Sequence, residues 1–172
     1  GVDNLETGVR AQVPPGVHFY RLDIRDRRRL ERLLAESGAT GIVHLAAQVQ
    51  VARSQQDPDH DRTVNLEATA ALAWAAARCG VRRFVFSSSA AVYGDPAASS
   101  PGVACDEDQP ARPISPYGLH KWLAEQYLIH VARVTGLEVV ILRYANVYGP
   151  HQRAGVDGGV VAIFCERLAQ GR

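Results

Sequence analysis

Arg83-Phe84-Val85-Phe86-Ser87 is a short aromatic and β-branched run, with Gly80 before it and Gly94 after it. It is too short for a helix and has the composition of a buried strand. Upstream, Pro58 to Arg78 reads as one long Ala-rich helix closed by Gly80. Before that, Gly41-Ile42-Val43-His44-Leu45-Ala46-Ala47 reads as a second buried strand. Further back, Asp26–Ser37 has a helical pattern, with Asp26 as N-cap and Gly38 just past the end, preceded by a strand over Val17–Leu22. Downstream, a Pro/Gly/Ser-rich loop runs from about Asp95 to Ser115. Then come a helix over Pro116–Thr135 with Pro at its first position and Gly136 beyond it, a strand over Val139–Leu142 and a helix over Gly159–Ala169. Apolar strands alternating with helices pair in parallel through right-handed crossovers. The expected fold is α/β, a doubly wound parallel sheet whose ligands sit at the C-terminal ends of the strands.

Composition narrows the function. The chain has 172 residues, 47% apolar and 22% charged, the balance of a single globular domain. Its net charge of +1 gives no bulk attraction for nucleic acid or anionic membrane. No run approaches about 18 apolar residues, so no membrane partner is expected. Cys79, Cys105 and Cys165 are scattered and form no CxxC pair. They read as reduced thiols of a cytoplasmic protein, not as staples or metal ligands. The six histidines show no ligand spacing, and no metal site is expected.

The strand ends carry the chemistry. Tyr117 and Lys121 are four apart on the helix that begins at Pro116, hence on one face, and Lys121 is the only lysine against 18 arginines. The helix N-terminus and a nearby ammonium both favour phenolate, so Tyr117 is expected to have a lowered pKa and to serve as a general base or acid. Ser87 to Gly94 follow the Phe84–Phe86 strand and offer hydroxyls to a substrate. Asp3 stands where an acid ending a strand would bind an adenosine ribose, and Asp23 ends the next strand. Each is equally suited to a turn. Leu45-Ala46-Ala47 gives the third strand end a small-residue surface that a ligand can approach closely.

Taken in order, Asp3-Asn4-Leu5, Asp23-Ile24, His44 to Gln48, Asn65, Ser87 to Gly94, Ser115-Pro116-Tyr117 with Lys121, and Arg143 to Pro150 resemble the extended short-chain dehydrogenase/reductase family. Within it they are most similar to NAD-dependent nucleotide-sugar epimerases of the UDP-glucose 4-epimerase type. The resemblance implies a Rossmann-type NAD-binding domain over residues 1–172. It implies Tyr117 as catalytic base, with Lys121 holding the nicotinamide ribose and Ser89 as catalytic hydroxyl. Asp3 and Asn4 would bind the adenosine ribose. Asp23 and Ile24 would flank adenine, and Leu45, Ala46, Ala47, Asn65, Ser87, Tyr144 and Ala145 would complete the cofactor site. Ser89, Tyr117 and Asn146 would touch the nucleotide sugar, a UDP-hexose. The implied reaction removes hydride from sugar C4, lets the keto sugar turn and returns the hydride to the other face. Dehydratases of this family carry acidic partners just after the catalytic hydroxyl; here those positions are Ala90 and Ala91. That favours the epimerase over a 4,6-dehydratase, while another extended-family sugar dehydratase or reductase stays the alternative.

The resemblance also implies that the Gly-rich first βα unit would precede Gly1 and a substrate lobe would follow Arg172. The chain is therefore expected to be an internal fragment that turns over nothing by itself, the alternative being a non-catalytic remnant. Equivalents of the helices holding Trp74 and Trp122 often form a dimer interface in the family, so a homodimer is expected of the complete protein. Asp57-Pro58-Asp59-His60-Asp61 has the look of a calcium loop without its glycine and its twelfth-position acid, and reads as first-turn helix acids. Arg25 to Arg32 reads as a solvated helix face, with Arg27–Glu31 and Arg32–Glu36 as i,i+4 pairs.

Overall fold

Phe84 and Phe86 are fully buried and mark the middle of the molecule. A computed structural model describes residues 1–95, 105–152 and 159–172, so residues 96–104 of the expected Asp95–Ser115 loop lie outside them. The strands are β1 (Val2–Asp3), β2 (Tyr20–Arg21), β3 (Gly41–His44), β4 (Arg83–Ser89) and β5 (Glu138–Tyr144). The helices are α1 (Arg27–Ser37), α2 (Val51–Gln56), α3 (Pro58–Arg62), α4 (Ala68–Arg78), α5 (Pro116–Thr135) and α6 (Val160–Ala169). Among the described residues every pairing is parallel: β4 lies between β3 and β5, and β1 pairs with β2 as a separate two-stranded piece.

The ends of the elements have local causes. The Asp26 carboxylate accepts from Arg29 N and starts α1; the Ser115 hydroxyl accepts from Gly118 N and starts α5. Gly38 (φ 61°) and Gly136 (φ 77°) end the two helices in the left-handed conformation. The strand expected over Val17–Leu22 shrinks to Tyr20–Arg21 because β1 offers only Val2–Asp3 to pair with. β3 stops at His44, paired with Phe86, and Leu45–Ala47 leave the ladder. β4 and β5 instead run on together to Ser89 and Tyr144, beyond their expected ends.

The long helix expected over Pro58–Arg78 is helical throughout but carries a π turn at Thr63–Glu67. Short π segments inside α-helices re-aim side chains, often at functional sites. Helix α2 lacks a side-chain cap at Gln50, so nothing in its sequence announces it. The i,i+4 pairs expected on α1 give way to contacts with other helices. Glu31 takes Arg78 of α4 at 2.8 Å, and Arg27 reaches Glu67 of the π turn at 4.0 Å.

Helices α1, α4 and α5 pack successively against one another, and α5 lies on β4 and β5. Their shared core holds Leu22, Leu30, Leu72, Ala73, Ala76, Val81, Phe84, Phe86, Ala124, Leu128, Val131 and Leu137. Burying each phenylalanine contributes about 2–3 kcal/mol. Trp74 packs against that core and meets His130 of α5 edge-on. Away from the helix layer, Val43 of β3 and Val140 of β5 are exposed.

The first turn of α5 presses on the short helical turn at Ala90–Tyr93. A Cβ on Gly118 would lie 2.5 Å from the Ala91 carbonyl oxygen and 3.2 Å from Pro113 Cβ. Gly118→Ala should therefore cost about 1–3 kcal/mol through backbone displacement. A urea midpoint unchanged from wild type would show that this contact is looser than described.

Candidate active site

The N-terminal half of α5 turns a polar stripe inward. Tyr117, His120, Lys121 and Glu125 are all buried, with Lys121 3% and Glu125 1% exposed. Tyr117 N donates to the Ser54 hydroxyl of α2 at 3.1 Å, which fixes the start of the stripe. The Tyr117 phenol hydrogen-bonds the Ser89 hydroxyl at the end of β4, and Ser89 Oγ also accepts from Ala91 N at 3.1 Å. Lys121 Nζ donates to the Ser87 carbonyl at 2.9 Å. It lies 4.9 Å from the Phe86 ring centre and 5.9 Å from the Tyr117 ring centre. The consecutive serines divide their work by strand alternation. Ser88 turns to α5 and donates to Glu125, whereas Ser89 faces Tyr117.

Glu125 also accepts from Arg143 of β5, through Nη2 at 2.7 Å and Nε at 3.1 Å. Arg143 reaches on to the Tyr93 hydroxyl at 3.0 Å and the Glu107 carbonyl at 3.2 Å. The Glu125 carboxylate first, and then Tyr93, raise the guanidinium well above its ordinary value. A bidentate pair of this kind ties the end of β5 to the middle of α5.

The phenol departs from expectation. Burial pushes Tyr117 above its ordinary value and Asp61 adds to the rise, while the Ser89 hydrogen bond works the other way. The lowered pKa expected from the helix N-terminus and Lys121 is not what this environment produces, because desolvation of a phenolate outweighs both. Lys121 is pulled down to about 8 by burial, against the opposing carboxylates of Asp61 and Glu125.

A cleft gathers the expected cofactor residues Asp3, Asn4, Asp23, Ile24, Leu45, Ala46 and Ala47 between the ends of β1, β2 and β3. Asp3 Oδ1 accepts from Leu5 N at 2.6 Å, and Leu5 takes a left-handed φ of 61°. Gly8 lies so close that a Cβ would stand 3.0 Å from that carboxylate oxygen. Asn4 Nδ2 donates to Asp23 Oδ2 at 3.0 Å, and Arg25 holds Asp23 far below the usual carboxylate range. An acid at a strand end, an apolar wall at Ile24 and alanines that admit close approach fit the adenosine half of a dinucleotide. Asn65 is buried behind this cleft. Its amide bonds the Gln48 backbone in both directions, Gln48 N to Oδ1 at 3.1 Å and Nδ2 to Gln48 O at 2.9 Å.

Tyr144 and Ala145 line a second cleft with Ala90, Ala91, Tyr93 and Arg143. Tyr144 lies in register with Ser89. Asn146 is exposed just beyond β5 and is not drawn into the Tyr117 cluster. Ser87 contributes its carbonyl to Lys121. The sequence reading overlooked Ser54, Asp61, His120, Glu125 and Arg143. Glu125 could have been found, since it continues the four-residue spacing of Tyr117 and Lys121. Asp61, read as a first-turn helix acid, is fully buried.

Residues 1–172 match the NAD dependent epimerase/dehydratase family. The UDP-glucose 4-epimerase of Mycolicibacterium smegmatis is 42% identical over 178 residues, covering 100% of this chain and 55% of that protein. The Thermus thermophilus UDP-glucose 4-epimerase in complex with NAD superposes with a TM-score of 0.93 at 43% identity, over 99% of this chain and 54% of that one. The Thermotoga maritima UDP-glucose 4-epimerase with UDP-glucose gives 0.91 at 38% identity, over 99% and 55%. The chain spans about half the length of the relatives it matches.

Beneath the cluster, His44 donates through Nε2 to the Thr69 hydroxyl at 2.9 Å, since that hydroxyl itself donates to Asn65 O. Burial, then the Lys121 ammonium, hold its imidazole down to about 3. The unfolded chain takes up this proton near pH 6.5, whereas the folded chain resists until near pH 3. Stability should therefore fall over that window as the pH drops, by several kcal/mol, and His44→Gln should flatten the fall. Urea midpoints across pH 3–6.5 read this; a His44 ring that titrates near 6.5 by NMR would contradict it.

Proposed function

Because the chain belongs to the NAD dependent epimerase/dehydratase family, we propose that it forms the cofactor-binding and proton-transfer part of a nucleotide-sugar epimerase of the UDP-glucose 4-epimerase kind. The observation that carries this reading is the convergence of Ser89, Tyr117 and Lys121 at the C-terminal end of β4, beside the cleft that fits adenosine. Relatives at about 40% identity, one with NAD and one with UDP-glucose, support the cofactor and the substrate class.

In this reading Asp3 and Asn4 hold the adenosine ribose, Asp23 and Ile24 flank adenine, and Leu45, Ala46, Ala47 and Asn65 form the wall along the dinucleotide. Lys121 anchors the nicotinamide ribose, with Ser87 and the Tyr144–Ala145 segment around it. NAD, when bound, supplies a hydride acceptor and a cationic ring close to the phenol. That positive charge offsets the desolvation that holds the Tyr117 proton on.

Ser89 orients the sugar 4-hydroxyl. Tyr117 accepts its proton as the C4 hydride departs, and Asn146 holds the nucleotide sugar beside them. Tyr117 returns the proton to the 4-oxygen once the keto sugar has turned and hydride has re-entered from the other face. Overall no electrons are gained or lost. Ala90 and Ala91 after Ser89 offer no second acid at those two positions, which favours epimerisation over dehydration.

The open edges of β1 and β3 would accept one further parallel strand, whose glycine-rich turn would reach the pyrophosphate. A second copy would cover the α5 stripe of Leu119, Tyr127 and Val134, which is exposed, so that the working protein is a cytoplasmic homodimer. Among the described residues no helix is long and apolar enough to cross a membrane.

In the full-length protein Tyr117→Phe should lower kcat about 10²–10⁴-fold while NAD still binds. Turnover of UDP-glucose should leave no net change in nicotinamide absorbance. A Phe variant within tenfold of wild type, or steady accumulation of reduced cofactor, would overturn the reading.

A further inference from the structure

Asp61 is 0% exposed, yet among the described residues no arginine or lysine touches it directly. Three donors converge on its carboxylate. His120 Nδ1 lies 2.7 Å from Oδ1, while Gln48 Nε2 at 2.7 Å and Asn65 Nδ2 at 3.0 Å both reach Oδ2. The donors belong to two separate pieces of machinery. Gln48 is in the segment that lines the adenosine cleft, and Asn65 grips the backbone of that same residue. His120 lies on α5, between Tyr117 and Lys121 in sequence and inside the same buried stripe. Gln48 further braces the loop by donating to Gln50 O at 2.9 Å and accepting from Gln50 N at 2.6 Å.

A buried carboxylate is a poor choice for packing alone, because an apolar side chain of similar volume serves a core as well or better. What it provides is direction: three donors held at fixed angles, so that a shift of one partner is felt by the other two. The π turn fits this role, since it is the segment that carries Asn65 to both Asp61 and Gln48.

We propose that Asp61 is a positioning residue that couples the adenosine cleft to the Tyr117 base, through Gln48 and Asn65 on one side and His120 on the other. The inference rests on the cofactor reading of that cleft. It makes occupancy of one end of the site set the alignment of the other. The charges around the base are Lys121 and Glu125 on α5 itself and Asp61 on α3, with His44 of β3 beneath and the Ser89 hydroxyl of β4 in front. Among them Asp61 acts on both members of the pair, raising the Tyr117 phenol and favouring the charged Lys121.

Adenosine diphosphate is the probe, because it fills the adenosine cleft and carries no nicotinamide to touch Tyr117 directly. In the full-length protein labelled at tyrosine Cζ and on histidine rings, adding it should move both the Tyr117 and His120 resonances. In Asp61→Asn the nucleotide should still bind, the Tyr117 response should disappear and the phenol should titrate at lower pH than in wild type. His120→Phe cuts only the α5 arm and guards against an Asp61 variant that does not fold. It should also lose the Tyr117 response, whereas His120→Gln, which can still donate to Asp61, should keep it. A Tyr117 response that survives in either Asp61→Asn or His120→Phe overturns the coupling. Failure of adenosine diphosphate to bind the wild-type protein overturns the cofactor reading itself, and the coupling with it.

Discussion

An ammonium group buried under the first turns of α5 is the constraint around which the rest of this structure is arranged. Lys121 is almost without solvent, and its Nζ has one carbonyl partner, Ser87 O, and the face of Phe86 nearby. A charge in that position is tolerated only where the surroundings supply compensating dipoles and opposite charges. Here they come from β4, which ends beneath it, and from Asp61 and Glu125 on either side. The depression to about 8 measures how incomplete the compensation is. On its own it corresponds to about 3 kcal/mol held against folding at neutral pH. A Rossmann-type core has no packing need for such a group, which is why the stripe reads as chemistry and not as architecture.

The fold supplies what the stripe requires. Phe84 and Phe86 anchor β4 in the core, so the serines that follow emerge at a fixed height at the C-terminal edge of the sheet. Strand alternation then sends Ser88 to Glu125 and Ser89 to Tyr117. Ser54 and Ser115 hold the first backbone amides of α5, and the absence of a Cβ at Gly118 lets the helix start close against Ala91. Glu125 and Arg143 fasten the far end of the same stripe to β5. Each contact is ordinary in strength; together they leave Tyr117 little freedom of position, and preorganisation of that kind is what proton transfer in a closed site demands.

Much of this was legible in the sequence, for identifiable reasons. Helices α1 and α5 are bounded by residues with a single local meaning: Asp26 and Ser115 as caps, Pro116 in the first turn, Gly38 and Gly136 at the ends. Their limits follow without tertiary information. The Tyr117–Lys121 pair was legible because the chain has only one lysine. What was not legible depends on burial by distant segments. Asp61 follows Asp57 and Asp59 in a helix start that looks wholly solvated, and only the return of α5 sixty residues later encloses it. The Tyr117 phenol was misjudged for the same reason: the dipole and the ammonium are local, while the desolvation that outweighs them is tertiary. Helix α2 has no side-chain cap at Gln50 to announce it ahead of the expected helix, and the π turn stays hidden in the continuous helical pattern of Pro58–Arg78.

The single lysine also provides the most direct test. In the full-length protein labelled at lysine Cε, the resonance that disappears in Lys121→Arg belongs to Lys121. Its titration by NMR should show a midpoint near 8, displaced from the ordinary 10.5 by burial against Phe86 and Ser87. A midpoint at or above 10 would mean that the ammonium is solvated, that the α5 stripe is not buried as described, and that the arrangement of Tyr117, Ser89 and Lys121 does not stand.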